Sequence, residues 1–132
     1  MFANSIASYQ QIGKDAEILG ADPHRLIVLL FDGAEAALVK AQACIAAQDI
    51  PGRSEALIKA TDIISNGLAA SLNLQEGGEL AQNLSALYDY MVSRLLYANV
   101  HQDPRAITEV QKLLSEISGA WREMGANRNN AA

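Results

Sequence analysis

The most regular pattern of apolar positions lies in residues 76–100, EGGELAQNLSALYDYMVSRLLYANV. Its apolar residues recur at spacings of three and four, which places them on one face of an α-helix. They are Leu80, Leu84, Leu87, Met91 and Leu95. Flanking residues such as Tyr88, Tyr90 and Tyr97 widen this face to roughly 260°, whereas a helix that packs on one core needs only about 100°. Such a helix is either the buried centre of a large protein or one that contacts both its own core and a partner. A chain of 132 residues can hardly enclose a central helix on all sides, which favours the second prediction.

Three further segments carry apolar residues at helical spacing and predict three more helices. These cover residues 23–47, 53–74 and 104–124. Asp22-Pro23 and Asp103-Pro104 are start signals, because an aspartate can cap free backbone N–H groups and proline suits the first helical position. Residues 48–52 contain proline and glycine together and predict a loop.

Two glycine positions modify this pattern. Gly67 lies in the middle of the second predicted helix, where it favours a close approach or a slight bend over a turn that splits the helix. Gly77-Gly78 predicts the end of that helix, since glycine accepts the left-handed conformation there. Glu79 then falls in the first turn of the next helix, where a carboxylate favours the helix dipole.

Four helices with short connections and no strand pattern predict an all-α fold, an antiparallel four-helix bundle with a short N-terminal arm or helix. The predicted division is an arm or cap over residues 1–21, the bundle over 22–124 and a disordered tail over 125–132. The arm carries Tyr9 and Ile12 in a polar background. It is either a frayed terminus or a mobile cap over the apolar surface of the domain.

Composition narrows the function classes. The chain has 132 residues, which fits one domain, and its net charge is -5. An acidic chain of this kind argues against nucleic acid as a partner, because phosphate binding needs a clustered basic face. No apolar run is long enough for membrane insertion, and we expect no signal peptide. With a single cysteine, the expectation is a reduced, cytoplasmic protein.

The residue types needed for catalysis do not form a recognisable pattern. No Glu-x-x-His pair or glycine-rich phosphate loop occurs, so we predict no metal site, no cofactor and no enzymatic activity. Cys44 lies in line with alanines and is interpreted as a small core residue. His24 and His101 lie near helix ends, where surface positions are the simplest interpretation. Trp121 continues a regular stripe and is interpreted as core.

The tyrosines of the third helix leave two interpretations open. Tyr88, Tyr90 and Tyr97 cannot all point into one narrow core, so they form either a rim with hydroxyls in water or the floor of a groove. Tyrosine and arginine are enriched where proteins bind each other, and Arg94 lies among these residues.

At these residues the chain resembles the FliS-type flagellar secretion chaperones, which bind flagellin. The most specific part of the resemblance is residues 76–99, supported by ADPHRLIVLLFDGA over residues 21–34. Tyr9-Gln10 matches a Tyr-Gln pair of the family, and Gly67 fits its second helix. The resemblance covers the chain from about Tyr9 to Trp121. One departure is Phe31, where members of the family often carry tyrosine.

The resemblance implies a helical bundle without enzymatic activity and a cytosolic partner for newly made flagellin. It implies binding of the flagellin C-terminal segment, which is disordered before assembly, and delivery to the cytoplasmic domain of the export gate. A non-catalytic signalling or phosphotransfer bundle is the alternative, and a weak homodimer stays open. The predicted groove residues are Asn83, Leu84, Leu87, Tyr88, Tyr90, Met91, Arg94 and Leu95, with Tyr9 and Ile12 from the arm. Some of the leucines must serve the core instead, and the sequence does not separate them.

Overall fold

A computed structural model describes residues 22–131, with side chains over residues 22–126. The predictions for residues 1–21, including Tyr9 and Ile12, lie outside this part of the chain. The helices are α1 (Pro23–Ala46), α2 (Ile50–Asp62), α3 (Gly78–His101) and α4 (Pro104–Ala131). A π-helical turn, Ile63–Leu68, and a 3₁₀ turn, Ala69–Ser71, extend α2. Residues 22–131 contain no strand, so the all-α prediction is confirmed.

The four helices form a ring in which each packs on two neighbours. Short loops join α1 to α2 and α3 to α4, and the joined helices run in opposite directions. Gln42 at the end of α1 donates to the carbonyl of Pro104 at the start of α4 (3.0 Å). Arg53 near the start of α2 donates to Asn99 near the end of α3 (3.1 Å). All four neighbouring pairs are therefore antiparallel, as the sequence predicts.

Aspartate caps begin three of the helices. Asp22 accepts from the backbone N–H of His24, and Asp103 accepts from that of Arg105, both at 3.0 Å. Asp49 does the same for Gly52 at 3.0 Å, so α2 begins at Ile50. The predicted loop over residues 48–52 is therefore too long, because Pro51 lies in the first turn, where its missing N–H costs nothing.

The second helix changes its winding around Gly67. This residue lies in the π-helical turn and is buried. A Cβ built on Gly67 would lie 3.2 Å from a methyl group of Leu30, so glycine admits the α1 side chain close to the backbone. The predicted close approach is confirmed. The helical segment then ends at Ser71, earlier than the predicted residue 74, because Leu72 is extended (ψ 137°).

The glycine with the left-handed conformation begins the third helix instead of ending the second. Gly78 has φ +59° and is the first residue of α3, whereas the sequence placed this conformation at the end of the second helix. Residues 72–77 form the connection instead. Glu79 lies in the first turn of α3, as predicted.

One core runs through the ring. Its largest fully buried side chains come from α1, the π-helical turn after α2, α3 and α4: Phe31, Leu38, Ile64, Leu68, Met91, Leu95, Ile107, Val110 and Leu114. On α3 the buried face is shifted from the predicted one, since Ala81 and Tyr88 are buried while Leu80 is 69% exposed. The rotation of α3 about its axis is set by how its side chains pack against α2 and α4. The spacing of leucines within α3 carries no information about this packing.

The fourth helix runs past its predicted end near Met124, because α4 spans Pro104–Ala131. Near this end α4 packs on the start of α1. Gly125 lies against the ring of His24, where a side chain would collide. His24 is half-buried, which corrects its interpretation as a surface residue.

Candidate functional site

An apolar cleft of about 270 Å³ opens between the four helices beside the start of α3. Four of its side chains come from α1 and α4, and the others come from the end of the second helix, the following connection and α3. Its lining residues are Ile27, Phe31, Leu68, Ser71, Leu72, Asn73, Gly77, Leu80, Ala81, Leu84, Tyr88, Ile117 and Trp121. Apolar clefts with few polar groups are the usual form of a binding site.

The connection after Ser71 shapes one edge of this cleft. Asn73 accepts with its side chain from the backbone N–H groups of Gln75 (3.2 Å) and Glu76 (3.0 Å), which fixes a tight turn. Its carbonyl accepts from Gly77 N–H at 2.8 Å. A Cβ on Gly77 would lie 2.7 Å from that same carbonyl oxygen, so only glycine allows the turn to close against α3.

Trp121 forms the opposite edge and is held by His24. The two rings stack with centroids 4.7 Å apart and planes 5° from parallel. The indole Nε1 donates to the carbonyl of His24 (3.1 Å), and His24 Nε2 donates to the carbonyl of Trp121 (2.6 Å). These reciprocal contacts fix the indole as a rigid wall between α1 and α4.

Tyr88 brings a polar group to this apolar surface. The residue is only 4% exposed, and its hydroxyl makes no hydrogen bond to any residue in the described part of the chain. Burial raises the pKa of Tyr88 to about 12, so the hydroxyl keeps its proton and remains a donor at neutral pH. The Ser71 hydroxyl differs, because it donates to the Leu68 carbonyl at 2.7 Å.

The structure divides the predicted α3 groove into three parts. Leu84 and Tyr88 line the cleft. Met91 and Leu95 are 0% exposed and belong to the core. The sequence left open which apolar residues of α3 face the core.

The remaining predicted residues of α3 lie outside the cleft lining. Asn83 is exposed, and Leu87 is half-buried against the core. Tyr90 is 44% exposed. Arg94 is half-buried. The predicted set is therefore not a single surface.

Tyr90 and Arg94 form a polar seam with Glu109 of α4. Arg94 Nε donates to Glu109 Oε1 (2.8 Å), and the Tyr90 hydroxyl donates to Oε2 (3.0 Å). The hydrogen bond from Arg94, followed by that from Tyr90, holds the pKa of Glu109 below its usual range. The same carboxylate raises the pKa of both partners. Arg94 also lies 4.7 Å from the ring centre of Tyr97.

Sequence reasoning missed most of the cleft. Trp121 was interpreted as core, and Leu72 and Ile27 were not considered as site residues. Each of these residues follows an ordinary apolar pattern within its own segment, so no local signal marks it. They come together only when the ring of helices closes.

The described residues contain neither a candidate metal site nor a candidate membrane-spanning helix. Among residues 22–126 no group of three or more histidine, cysteine or carboxylate side chains could hold a metal ion. No helix within the described range is apolar over a length that would cross a bilayer.

Comparisons with known proteins identify the family. The family described as flagellar protein FliS matches residues 5–128. The flagellar secretion chaperone FliS of Salmonella typhimurium is 48% identical over 122 residues, which is 92% of this chain and 90% of that protein. The Escherichia coli protein of the same name is 42% identical, covering 92% and 89%, and that of Bacillus subtilis is 30% identical, covering 91% and 85%. The chain therefore belongs to the FliS family of flagellar secretion chaperones.

Proposed function

We propose that this protein binds the disordered C-terminal region of flagellin in the cytoplasm. Binding prevents premature polymerisation and leads to delivery of flagellin to the cytoplasmic domain of the flagellar export gate. The family is one of chaperones rather than enzymes, which agrees with this function. The observation that carries the proposal is the apolar cleft beside α3, with Leu80 69% exposed at its edge.

The energetics favour a disordered client. A flexible segment must be ordered when it binds, which costs about 2–5 kcal/mol or more. Burial of apolar surface contributes about 25 cal/mol per Å² and offsets this cost. The cleft supplies such surface on this protein, because Leu72, Leu80 and Leu84 line it. The apolar side chains that the client buries are then withheld from other flagellin subunits.

The arm over residues 1–21 belongs to the same proposal. By family resemblance, Tyr9 and Ile12 cover part of the groove when no client is bound. Such a cap would hide an apolar patch that otherwise favours aggregation. Client binding would then displace the arm.

No observation favours the alternative of a phosphotransfer domain. That reaction needs an accessible histidine ring in the middle of a helix. The His24 ring is stacked on Trp121 and bonded through Nε2, and it lies in the first turn of α1. His101 is the last residue of α3, with its ring 4.2 Å from that of Tyr97.

Calorimetry with a flagellin C-terminal segment tests the proposed site. In Leu80→Asp a carboxylate enters the apolar edge of the cleft, and we expect at least about tenfold weaker binding because a charge would have to be desolvated. Leu80 is mostly exposed, so the bundle should keep its stability. The matched control is Val39→Asp on α1, since Val39 is 61% exposed and does not line the cleft.

Co-purification with full-length flagellin completes the test. Flagellin should be retained, and flagellin without its C-terminal segment should not. Equal affinities of the two aspartate variants would reject the cleft as the site. Retention of the truncated flagellin would reject the C-terminal segment as the client.

A further inference from the structure

The hydroxyl of Tyr88 is the unusual group of the cleft. Tyr88 is 96% buried, since only 4% of it is exposed, yet its hydroxyl has no partner among the described residues. Every buried side-chain nitrogen or oxygen that water cannot reach within this part of the chain does have a partner. The Tyr88 oxygen must therefore keep some contact with solvent, and the cleft is the opening that Tyr88 lines.

The surroundings make this donor costly to leave unpaired once the cleft is filled. Leu68, Leu84 and Phe31 line the same cleft and offer no side-chain acceptor. A buried donor that loses water without gaining an acceptor loses stability, so a partner that covers Tyr88 with apolar atoms alone binds poorly. The other polar side chains of the lining, Ser71 and Asn73, already make hydrogen bonds within the protein.

From these contacts we infer that Tyr88 is a specificity-determining donor that binds a free backbone carbonyl of the segment in the cleft. Carbonyls inside a helix are already bonded to the next turn, whereas those of extended backbone or of the last helical turn are free. The segment in the cleft thus combines apolar side chains with backbone that is extended or ends a helix beside Tyr88. The inference rests on the proposed function, because it assigns a role to one residue of that site.

Tyr88→Phe in the full-length protein is the first test, with the flagellin C-terminal segment as probe. The ring and its packing remain, and only the donor is lost. We expect about two- to tenfold weaker binding, which corresponds to the net value of one hydrogen bond. Urea unfolding of the free protein should change little, because the hydroxyl makes no hydrogen bond to the described residues. Tyr97→Phe is the control, since Tyr97 is 41% exposed and lies outside the cleft lining.

An ester scan of the probe locates the carbonyl. Replacing a single backbone amide with an ester weakens that carbonyl as an acceptor. One ester position should reduce affinity for the unsubstituted protein and have a much smaller effect on Tyr88→Phe.

The outcomes separate this inference from the function. Unchanged affinity of Tyr88→Phe overturns the donor role while leaving the chaperone function intact. Weaker binding with no ester position that depends on Tyr88 overturns the carbonyl as its partner. A probe that fails to bind even the unsubstituted protein removes the proposed function, and this inference with it.

Discussion

Individual side chains set the ends of the elements and the chemistry of their contacts. The aspartates before Pro23 and Pro104 cap their helices as the sequence predicts, because a cap depends only on neighbouring residues. The role of Glu109 was not predictable in this way. Its partners lie 15 and 19 residues earlier in the chain, on another helix.

Glu109 gives the protein a pH-dependent contact. Its pKa is lower in the folded protein than usual, so the contact stabilises the fold above the ordinary carboxyl range and is lost as the pH falls through the folded pKa. Glu109→Gln should therefore lower the melting temperature slightly at neutral pH and have no such effect in acid. Thermal unfolding across this pH range measures the difference.

The effect should be small, since the pair is partly exposed to water. Glu116→Gln is a matched control on α4, because Glu116 is exposed and makes no ion pair with a described residue. An equal loss in both variants at neutral pH would contradict the role of Glu109.

At the scale of the elements, the seam between α3 and α4 remains a candidate second contact for the client. Tyr90 and Arg94 present an exposed ring and a cation on α3, outside the cleft lining. We expect the double variant Tyr90→Ala with Arg94→Ala to bind the flagellin segment more weakly while its helix content is unchanged. Calorimetry and circular dichroism measure both quantities, and an unchanged affinity would confine binding to the cleft.

Replacing glycine with alanine should change the stability of the protein in opposite directions at Gly119 and Gly77. Gly119 lies within α4, and apart from its chain neighbours and the backbone of its own helix no atom lies within 4 Å of the added Cβ. Gly119→Ala should therefore stabilise the protein by about 0.5–1 kcal/mol. Gly77→Ala should destabilise it by about 1–3 kcal/mol, because the backbone oxygen of Asn73 blocks the new methyl group. Urea unfolding of both variants measures these values. Destabilisation of the same size in both would show that helix propensity and backbone contact are not the deciding factors.

For the molecule as a whole, the fold could be predicted and most of the cleft could not. Helical spacing and short loops determine four antiparallel helices with little ambiguity. The spacing of Leu80, Leu84 and Leu87 also identifies an apolar face of α3. It cannot fix how far α3 rotates against its neighbours, and this rotation buries Tyr88 while leaving Leu80 exposed.

The arm over residues 1–21 is best tested on the whole molecule. Deletion of residues 1–15 should leave the bundle folded but more prone to self-associate, because the apolar patch would lose its cap. Light scattering over a range of concentrations measures this, with circular dichroism as the check on folding. A truncated protein that stays monomeric throughout would reject the cap.

The stacked wall of the cleft also has a practical consequence. Trp121 is the only tryptophan of the 132 residues, and it lines the cleft while held against His24. The fluorescence emission of Trp121 should therefore report the binding of a ligand in the cleft. Titration with an unlabelled ligand can be followed by fluorescence from a single, structurally assigned position.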